Sequence, residues 1–345
     1  MIFRSKAPLR IGLAGGGTDV SPYSDLFGGA ILNVTISLSA HANIEWIEEN
    51  HIELKAFDRN ESEIHPLGTS LPLNGCLDLL KGVYNRVQKD YPFQPRGLRI
   101  STFVDAPAGS GLGTSSTLVV AILGAFVEML KLPLGDYDIA HYAYSIERSD
   151  LQLAGGKQDQ YAATFGGVNF MEFFQGDKVI VNPLRIRTQY LHELENNLLL
   201  FYTSTSRESA KIIVEQQKNV QAGNEKSIDA MHKLKEQAQQ MKEALLTGHL
   251  QQIGEILDYG FEQKRKMASH ISNAQIENLY DLAKKAGATG GKISGAGGGG
   301  FMIFYCPGNT RYAVIDALSQ LEGKIKPYSF TKQGLQTWTV NDLYR

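Results

Sequence analysis

Pro107-Ala-Gly-Ser-Gly-Leu-Gly-Thr-Ser-Ser116 is the stretch on which the reading of this chain turns. Before it, Leu98 to Val104 (LRISTFV) alternates apolar and polar residues, the period of a half-buried strand. After it, Thr117 to Lys131 (TLVVAILGAFVEMLK) is apolar, rich in helix formers and free of proline. A glycine- and hydroxyl-rich loop therefore leads from a strand into a buried helix. Glycines let backbone amides come close to a ligand, and a helix start adds unpaired N–H groups and the positive end of a dipole. That chemistry suits phosphate. Glycine also marks ordinary flexible connections. Here, however, seven of ten residues are Gly, Ser or Thr, and they stand directly before an apolar helix.

Composition sets the frame around this loop. The 345 residues are 43% hydrophobic and 20% charged, the balance of a globular protein with sizeable cores, and the length suggests about two domains. A formal net charge of −2 gives no global attraction to nucleic acid or membranes, so neither is expected as a partner. Cys76 and Cys306 are the only cysteines, which argues against a disulfide scaffold or a cysteine-built zinc site. The start, MIFRSKAPLRI, lacks the apolar core of a signal peptide, and no run has the ~18 apolar residues of a membrane span. The expectation is a cytoplasmic protein; a homo-oligomer is compatible with the sequence.

Along the chain, Ile2 to Leu13 reads as a strand broken by Pro8, and Ala30 to Ala40 as a second strand. Asn43 to Glu48 and His51 to Asp58 flank Glu49-Asn50 and suggest a hairpin. Leu71 to Gln88, Asp136 to Leu151 (capped by Asp136) and Gln158 to Phe165 have helical patterns, the last closed by Gly166-Gly167 before a strand from Val168 to Phe174. Proline and charge interrupt the pattern between Val181 and Glu195, the candidate domain boundary. Beyond it, Asn197 to Thr203 reads as a strand, and Ser206 to Ala286 as helices with solvated, mixed-charge faces. A strand–glycine loop–strand unit spans Gly290 to Cys306; a last helix and two short strands complete that half.

Two nucleotide motifs fail. There is no GxxxxGK[ST], and Gly295 to Gly300 fits GxGxxG but is followed by strand-like Phe301 to Tyr305, where a dinucleotide fold needs a helix. Three glycine clusters in order instead resemble the GHMP kinases, the superfamily of galactokinase, homoserine kinase, mevalonate kinase and phosphomevalonate kinase. They are Ala7-Pro-Leu-Arg-Ile-Gly-Leu-Ala-Gly-Gly-Gly-Thr-Asp19, then Pro107 to Ser116, similar to PxGxGLGSSS, then Lys292-Ile-Ser-Gly-Ala-Gly-Gly-Gly-Gly300, similar to KxTGAGxGG. The resemblance runs from residue 4 to about 306. It implies an α+β, two-domain fold. A ribosomal protein S5 domain 2-like N-terminal domain would occupy 1–188 and a ferredoxin-like C-terminal domain 189–345, with the active site in the cleft between them.

The resemblance also implies roles, residue by residue. Pro107, Ala108, Gly109, Ser110, Gly111, Leu112, Gly113, Thr114, Ser115 and Ser116 would bind ATP, with Lys292, Gly295, Ala296, Gly297 and Gly298 as the C-terminal glycine loop. Ser115, with Ser116 one residue away, and Glu147 would hold Mg2+. Asp159, a position that also suits an ordinary N-cap, would be the catalytic aspartate, and Arg10 a charge-stabilising catalytic arginine. Gly16, Gly17, Thr18 and Asp19 would face the substrate, Asp19 accepting two sugar hydroxyls. Galactokinases have Gly-Glu-His-Thr-Asp where this chain has Gly-Gly-Gly-Thr-Asp, which leaves more room. The latter form, with Pro22-Tyr23 and Gly28-Gly29, is most similar to the D-glycero-D-manno-heptose 7-phosphate kinases and somewhat less to bacterial fucokinases. A sugar-phosphate substrate needs a basic anchor; Arg207 is the candidate and Lys157 the second. Adenine is left to Asn33 to Ser37 or the segment before Pro107.

Overall fold

A computed structural model describes residues 1–68, 70–94, 96–204 and 209–341, with Ser209 described by its backbone alone. Ile2–Ala14 (β1) forms one strand although Pro8 stands in its middle. Pro8 has no N–H for a ladder. The register against Gly29–Trp46 (β2) shifts between Pro8 and Arg10 and again between Gly12 and Ala14, so the strand bends where a break is expected. At this bend the Arg10 amide donates to the Leu112 carbonyl at 3.2 Å. A site residue and the glycine loop are thereby joined through backbone.

The expected hairpin across Glu49-Asn50 does not form. Residues 43–46 are the far end of the 18-residue β2, and His51–Ala56 (β3) pairs antiparallel with Glu61–Pro66 (β4). Leu98–Val104 (β5) inserts between β2 and β3, antiparallel to the first and parallel to the second. Alternation reveals the two faces of a strand, not its neighbour. Val168–Phe173 (β6) pairs with the first half of β2, and Val179–Pro183 (β7) pairs with β6.

The helices of this half are Tyr23–Phe27 (α1), Asp78–Asp90 (α2), Thr114–Leu130 (α3), Asp136–Ser145 (α4) and Gln158–Phe165 (α5). On α3, Val119 to Leu123 are all fully buried, the signature of a core helix without a solvent face. It packs on β1 and β2 and points its N-terminus at the glycine loop. Asp136 does not cap α4: Gly135 holds the cap position, and its N–H donates to Asp138 at 2.9 Å. The next turn, Ile146–Asp150, is π-helical, where a continuous helix to Leu151 is expected.

The second half holds Thr188–Asn197 (α6), Ser209–Gln221 (α7), Glu225–Thr247 (α8), Ile253–Lys264 (α9), Ala274–Lys285 (α10) and Thr310–Leu318 (α11). Its antiparallel sheet contains Leu198–Tyr202 (β8), Gly290–Ile293 (β9), Phe301–Tyr305 (β10) and Lys324–Ile325 (β11), in the order β11-β8-β10-β9. Leu199, Phe201, Phe261 and Phe304 belong to its core. The last strand, Gln336–Val340 (β12), does not complete this half as expected; it crosses back and pairs with β1, Ile2 opposite Val340. The fold is α+β with two bodies, stitched at the C-terminus. Among the described residues no helix is long and apolar enough to cross a membrane.

Candidate active site

The glycine loop is built from left-handed backbone. Gly109, Gly111 and Gly113 have φ of 71°, 84° and 78°, which side chains disfavour. Gly111 is also crowded from the other half: a Cβ there would lie 2.5 Å from the Ser294 carbonyl, and one on Gly295 would lie 2.6 Å from the Gly111 Cα. The second and third glycine clusters thus pack backbone to backbone, and Ser294 Oγ donates to the Gly111 carbonyl at 2.8 Å. Above this contact opens a cleft of about 290 Å³ that both halves line.

Within the loop, Gly109, Gly111, Gly113, Thr114, Ser115 and Ser116 line the cleft. Leu112 is a core residue and does not face a ligand. Ser110 is also turned away, fully buried, with its carbonyl accepting from Phe301 N–H at 2.9 Å. Pro107 and Ala108 are exposed and lie outside the cleft lining. Of the third cluster, Gly295 and Ala296 line the cleft. Gly298 N–H is spent on the Ile271 carbonyl, Gly297 packs against Ile271, and Lys292 Nζ donates to the Gly12 carbonyl at 3.0 Å. These three brace the loop and do not reach into the cleft.

Arg10 and Asp159 meet at the centre. Arg10 is buried, and both its Nε and Nη2 donate to Asp159 Oδ1, at 2.7 and 2.6 Å. Its Nη1 donates to the Gly111 carbonyl at 2.6 Å. One guanidinium therefore fixes an aspartate against the phosphate-type loop, a fork that lysine cannot reproduce. Asp159 is the second residue of α5 and bonds Arg10 across 149 positions of sequence, so it is no N-cap. Its side chain is 24% exposed, open to the cleft.

The cap of α5 comes from Asp19. Its Oδ2 accepts the amides of Lys157 and Gln158 at 2.8 and 3.0 Å, a carboxylate set against a positive helix end. A Cβ on Gly156 would overlap this carboxylate, and one on Gly155 would overlap the Arg148 guanidinium; the two glycines admit both. Burial pushes the Asp19 carboxyl above its ordinary value, with Asp159 adding to the shift and the amides opposing it. Asp19 lines the cleft, but one of its oxygens positions α5 where two sugar hydroxyls are expected. Thr18, expected to face the substrate, turns inward instead. It is fully buried; its hydroxyl accepts from Ala30 N–H at 3.1 Å and lies 2.8 Å from the Gly15 carbonyl. It closes the turn. Gly17 lines the cleft, and Gly16 lies beside two lysine ammoniums.

Glu147 sits in the π-helical turn, whose wider backbone is a frequent feature of functional sites. Ser116 Oγ donates to its Oε1 at 3.0 Å, and the Gln160 amide donates to its Oε2 and, at 3.1 Å, to Ser116. The buried hydroxyl joined to Glu147 is therefore that of Ser116, while Ser115 is exposed on the cleft. Burial drives the Glu147 carboxyl upward despite Arg148, Gln160 and Ser116. A cation beside it would supply the missing charge. One carboxylate with serine hydroxyls is a hard-oxygen set of the kind magnesium accepts while keeping several waters, so the residues fit that ion.

The sequence offers two candidate anchors for a substrate phosphate, Arg207 and Lys157. Arg207 lies outside the described residues. Lys157 is buried away from the cleft lining, its Nζ 3.0 Å from Asp177 and 3.4 Å from Asp25. Two cleft cations escape the sequence reading, Arg148 and Lys264. Arg148 holds the Leu153 and Gly156 carbonyls at 3.0 and 3.2 Å. Lys264 stands in a Lys-Arg-Lys run that looks solvated, yet Ile253, Leu257 and Phe261 place it on the buried stripe of α9. That stripe is the signal.

A second cavity, of about 380 Å³, adjoins the cleft through Ser115 and Leu153 and is walled by Leu73, Leu77, Leu79 and Leu118. Asn33, one place left for adenine, is fully buried in β2.

Comparison with known proteins adds kinship to this geometry. Residues 78–167 match the family described as GHMP kinases N terminal domain, and residues 241–323 match GHMP kinases C terminal. A D-glycero-alpha-D-manno-heptose 7-phosphate kinase of Campylobacter jejuni is 45% identical over 337 residues, 98% of this chain and 99% of that protein. A crystal structure described as a D-glycero-D-manno-heptose 1-phosphate kinase from Bacteroides thetaiotaomicron is 45% identical, with a TM-score of 0.84, covering 99% of this chain and 100% of that one. Lactococcus lactis galactokinase complexed with galactose shares the fold, at 17% identity and a TM-score of 0.76 over 97% of this chain and 95% of that one.

Proposed function

The chain belongs to the GHMP kinases and is a phosphotransferase with an alcohol acceptor, and on that premise we propose that it transfers the γ-phosphoryl group of ATP to the anomeric (C1) hydroxyl of D-glycero-D-manno-heptose 7-phosphate. The product would be the 1,7-bisphosphate, an intermediate of nucleotide-activated heptose synthesis. The observation that carries the reading is the Arg10–Asp159 pair, held by Gly111 against a loop suited to phosphates and open to the cleft. The similarity to heptose phosphate kinases supports the acceptor.

In this reading Asp159 orients the acceptor hydroxyl and takes its proton as the bond to phosphorus forms. Arg10 keeps Asp159 in place and stabilises charge that develops on the transferred group. Amides of Gly109 and of Gly111 to Ser116 receive the ATP phosphates, and the leucine-walled cavity beside Ser115 receives the purine. Ser115 and Glu147 would hold magnesium, which neutralises phosphate charge, with Ser116 and Gln160 positioning the carboxylate. Asp19 positions α5 and presents its cleft side to the sugar.

ADP release with a panel of acceptors tests the proposal. Heptose 7-phosphate is expected to exceed galactose, fucose and mannose by at least about 100-fold in kcat/KM, the discrimination open to a site built around a polar group. Turnover of a free hexose with none of heptose 7-phosphate would overturn it.

A further inference from the structure

One cleft cation is used neither by the Arg10–Asp159 pair nor around Glu147. Lys264, the last residue of α9, is 3% exposed and lines the cleft. Its ammonium donates to the Gly295 carbonyl, and among the described residues no carboxylate lies within ion-pair distance of it. An ammonium carries three donors, so this carbonyl leaves capacity for an incoming acceptor.

The charged groups facing Lys264 are Arg10 from β1, Lys292 from β9 and Asp19 from the turn after β1. Both ammoniums converge on Gly16, where a Cβ would lie 3.8 Å from Lys292 Nζ and 3.9 Å from Lys264 Nζ. Lys292 is tied to the Gly12 carbonyl and does not line the cleft. Asp19 has committed Oδ2 to the start of α5, and Arg10 is committed to Asp159 and Gly111. Arg10 and Asp159 pair with each other and Asp19 caps α5, so the Lys264 ammonium has no carboxylate of its own in this dry corner, and desolvated charge is unfavourable unless an opposite charge arrives. Burial first, then Arg10, brings the Lys264 ammonium down to about 8, against a smaller opposing effect of Asp19. Lys264 also stands beside the Gly15–Asp19 turn, and Ala210, Ile213 and Gln216 of α7 line the same cleft. The Glu147 carboxylate, by contrast, is held by Ser116 at the start of α3.

We infer that Lys264 receives the phosphate the sugar already carries, and so sets the preference for a phosphorylated over a free sugar. This rests on the proposed sugar-phosphate acceptor. The γ-phosphate of ATP has the same chemistry, and the test separates the two.

Lys264→Met and Lys264→Gln are to be compared with wild type in steady-state assays with ATP and heptose 7-phosphate. The expected result is a KM for the sugar phosphate raised about 10- to 100-fold, the loss typical of a charge-assisted hydrogen bond, with KM for ATP within about twofold. A loss borne by kcat or by KM for ATP would assign Lys264 to the transferred group and overturn the inference; so would an unchanged KM for the sugar phosphate. Calorimetric titration of the wild-type protein with heptose 7-phosphate needs no variant. An ammonium near 8 is protonated at pH 7 and mostly neutral at pH 9, so affinity should fall about tenfold between them as the charge is lost. Flat affinity contradicts the inference. If the wild-type protein turns over free sugars but not heptose 7-phosphate, the acceptor reading itself fails and the inference falls with it. If wild type uses heptose 7-phosphate and both variants match it, only the role of Lys264 fails.

Discussion

Replacing Asp159 by asparagine is expected to lower kcat by about 10²- to 10⁴-fold, the range for loss of a positioned proton acceptor, while KM for ATP stays within about twofold. The amide keeps the shape of the side chain and can still accept from Arg10, so α5 and the loop should remain in place. What disappears is the ability to take the acceptor proton, and with it the negative charge opposite the Arg10 fork. Asp159 makes no cap contact on α5, because that task belongs to Asp19, but the substitution leaves the buried Arg10 guanidinium without its counter-charge and should lower the melting temperature while the protein stays folded. Steady-state kinetics with a thermal melt as control checks both parts. Wild-type turnover in the variant would remove Asp159 from the chemistry.

The second large effect is expected at Arg10. Arg10→Met should lower kcat by about 10³-fold, in line with other arginines that stabilise a transferring phosphoryl group. It should also destabilise the fold by about 1–3 kcal/mol, because the Gly111 carbonyl loses a buried charged donor. Arg10→Lys keeps the charge but not the planar fork, and cannot reach Asp159 and Gly111 in the same way. It should recover stability more than rate. Because Arg10 and Asp159 act as a unit, the double variant should be little slower than the slower single one. Independent, multiplicative losses would show that the two side chains serve separate steps.

The glycine loop is readable because its signal is local: strand period, glycines, hydroxyls, then an apolar helix. α3 begins at Thr114, within three residues of the expected start, and α5 spans Gln158–Phe165 as expected. Arg10, Glu147 and Asp159 are reachable only through the resemblance, since each alone is an ordinary charged residue on a strand or helix. The misreadings share a cause. Pro8 is tolerated because the β1–β2 register shifts beside it, β5 separates β2 from β3, and β12 returns to β1; each depends on pairing between distant segments. Asp19 reads as offering both oxygens to the sugar because a carboxylate after a glycine turn looks free, and only the fold brings the start of α5 against one of them. Ser115 and Ser116 are chemically identical neighbours at a helix start, and only packing turns one to the cleft and buries the other. Lys264 is legible in principle, as a lysine on the apolar stripe of α9.

The two heptose kinases to which the chain is 45% identical differ in name over the phosphate, one called a 7-phosphate kinase and the other a 1-phosphate kinase. The 31P NMR spectrum of the product formed from ATP and D-glycero-D-manno-heptose 7-phosphate decides the matter for this chain. The account predicts a new sugar phosphorus signal coupled to the anomeric proton, beside the original signal coupled to the protons at C7. No new signal, or a new one coupled to any other ring or side-chain proton, would contradict it.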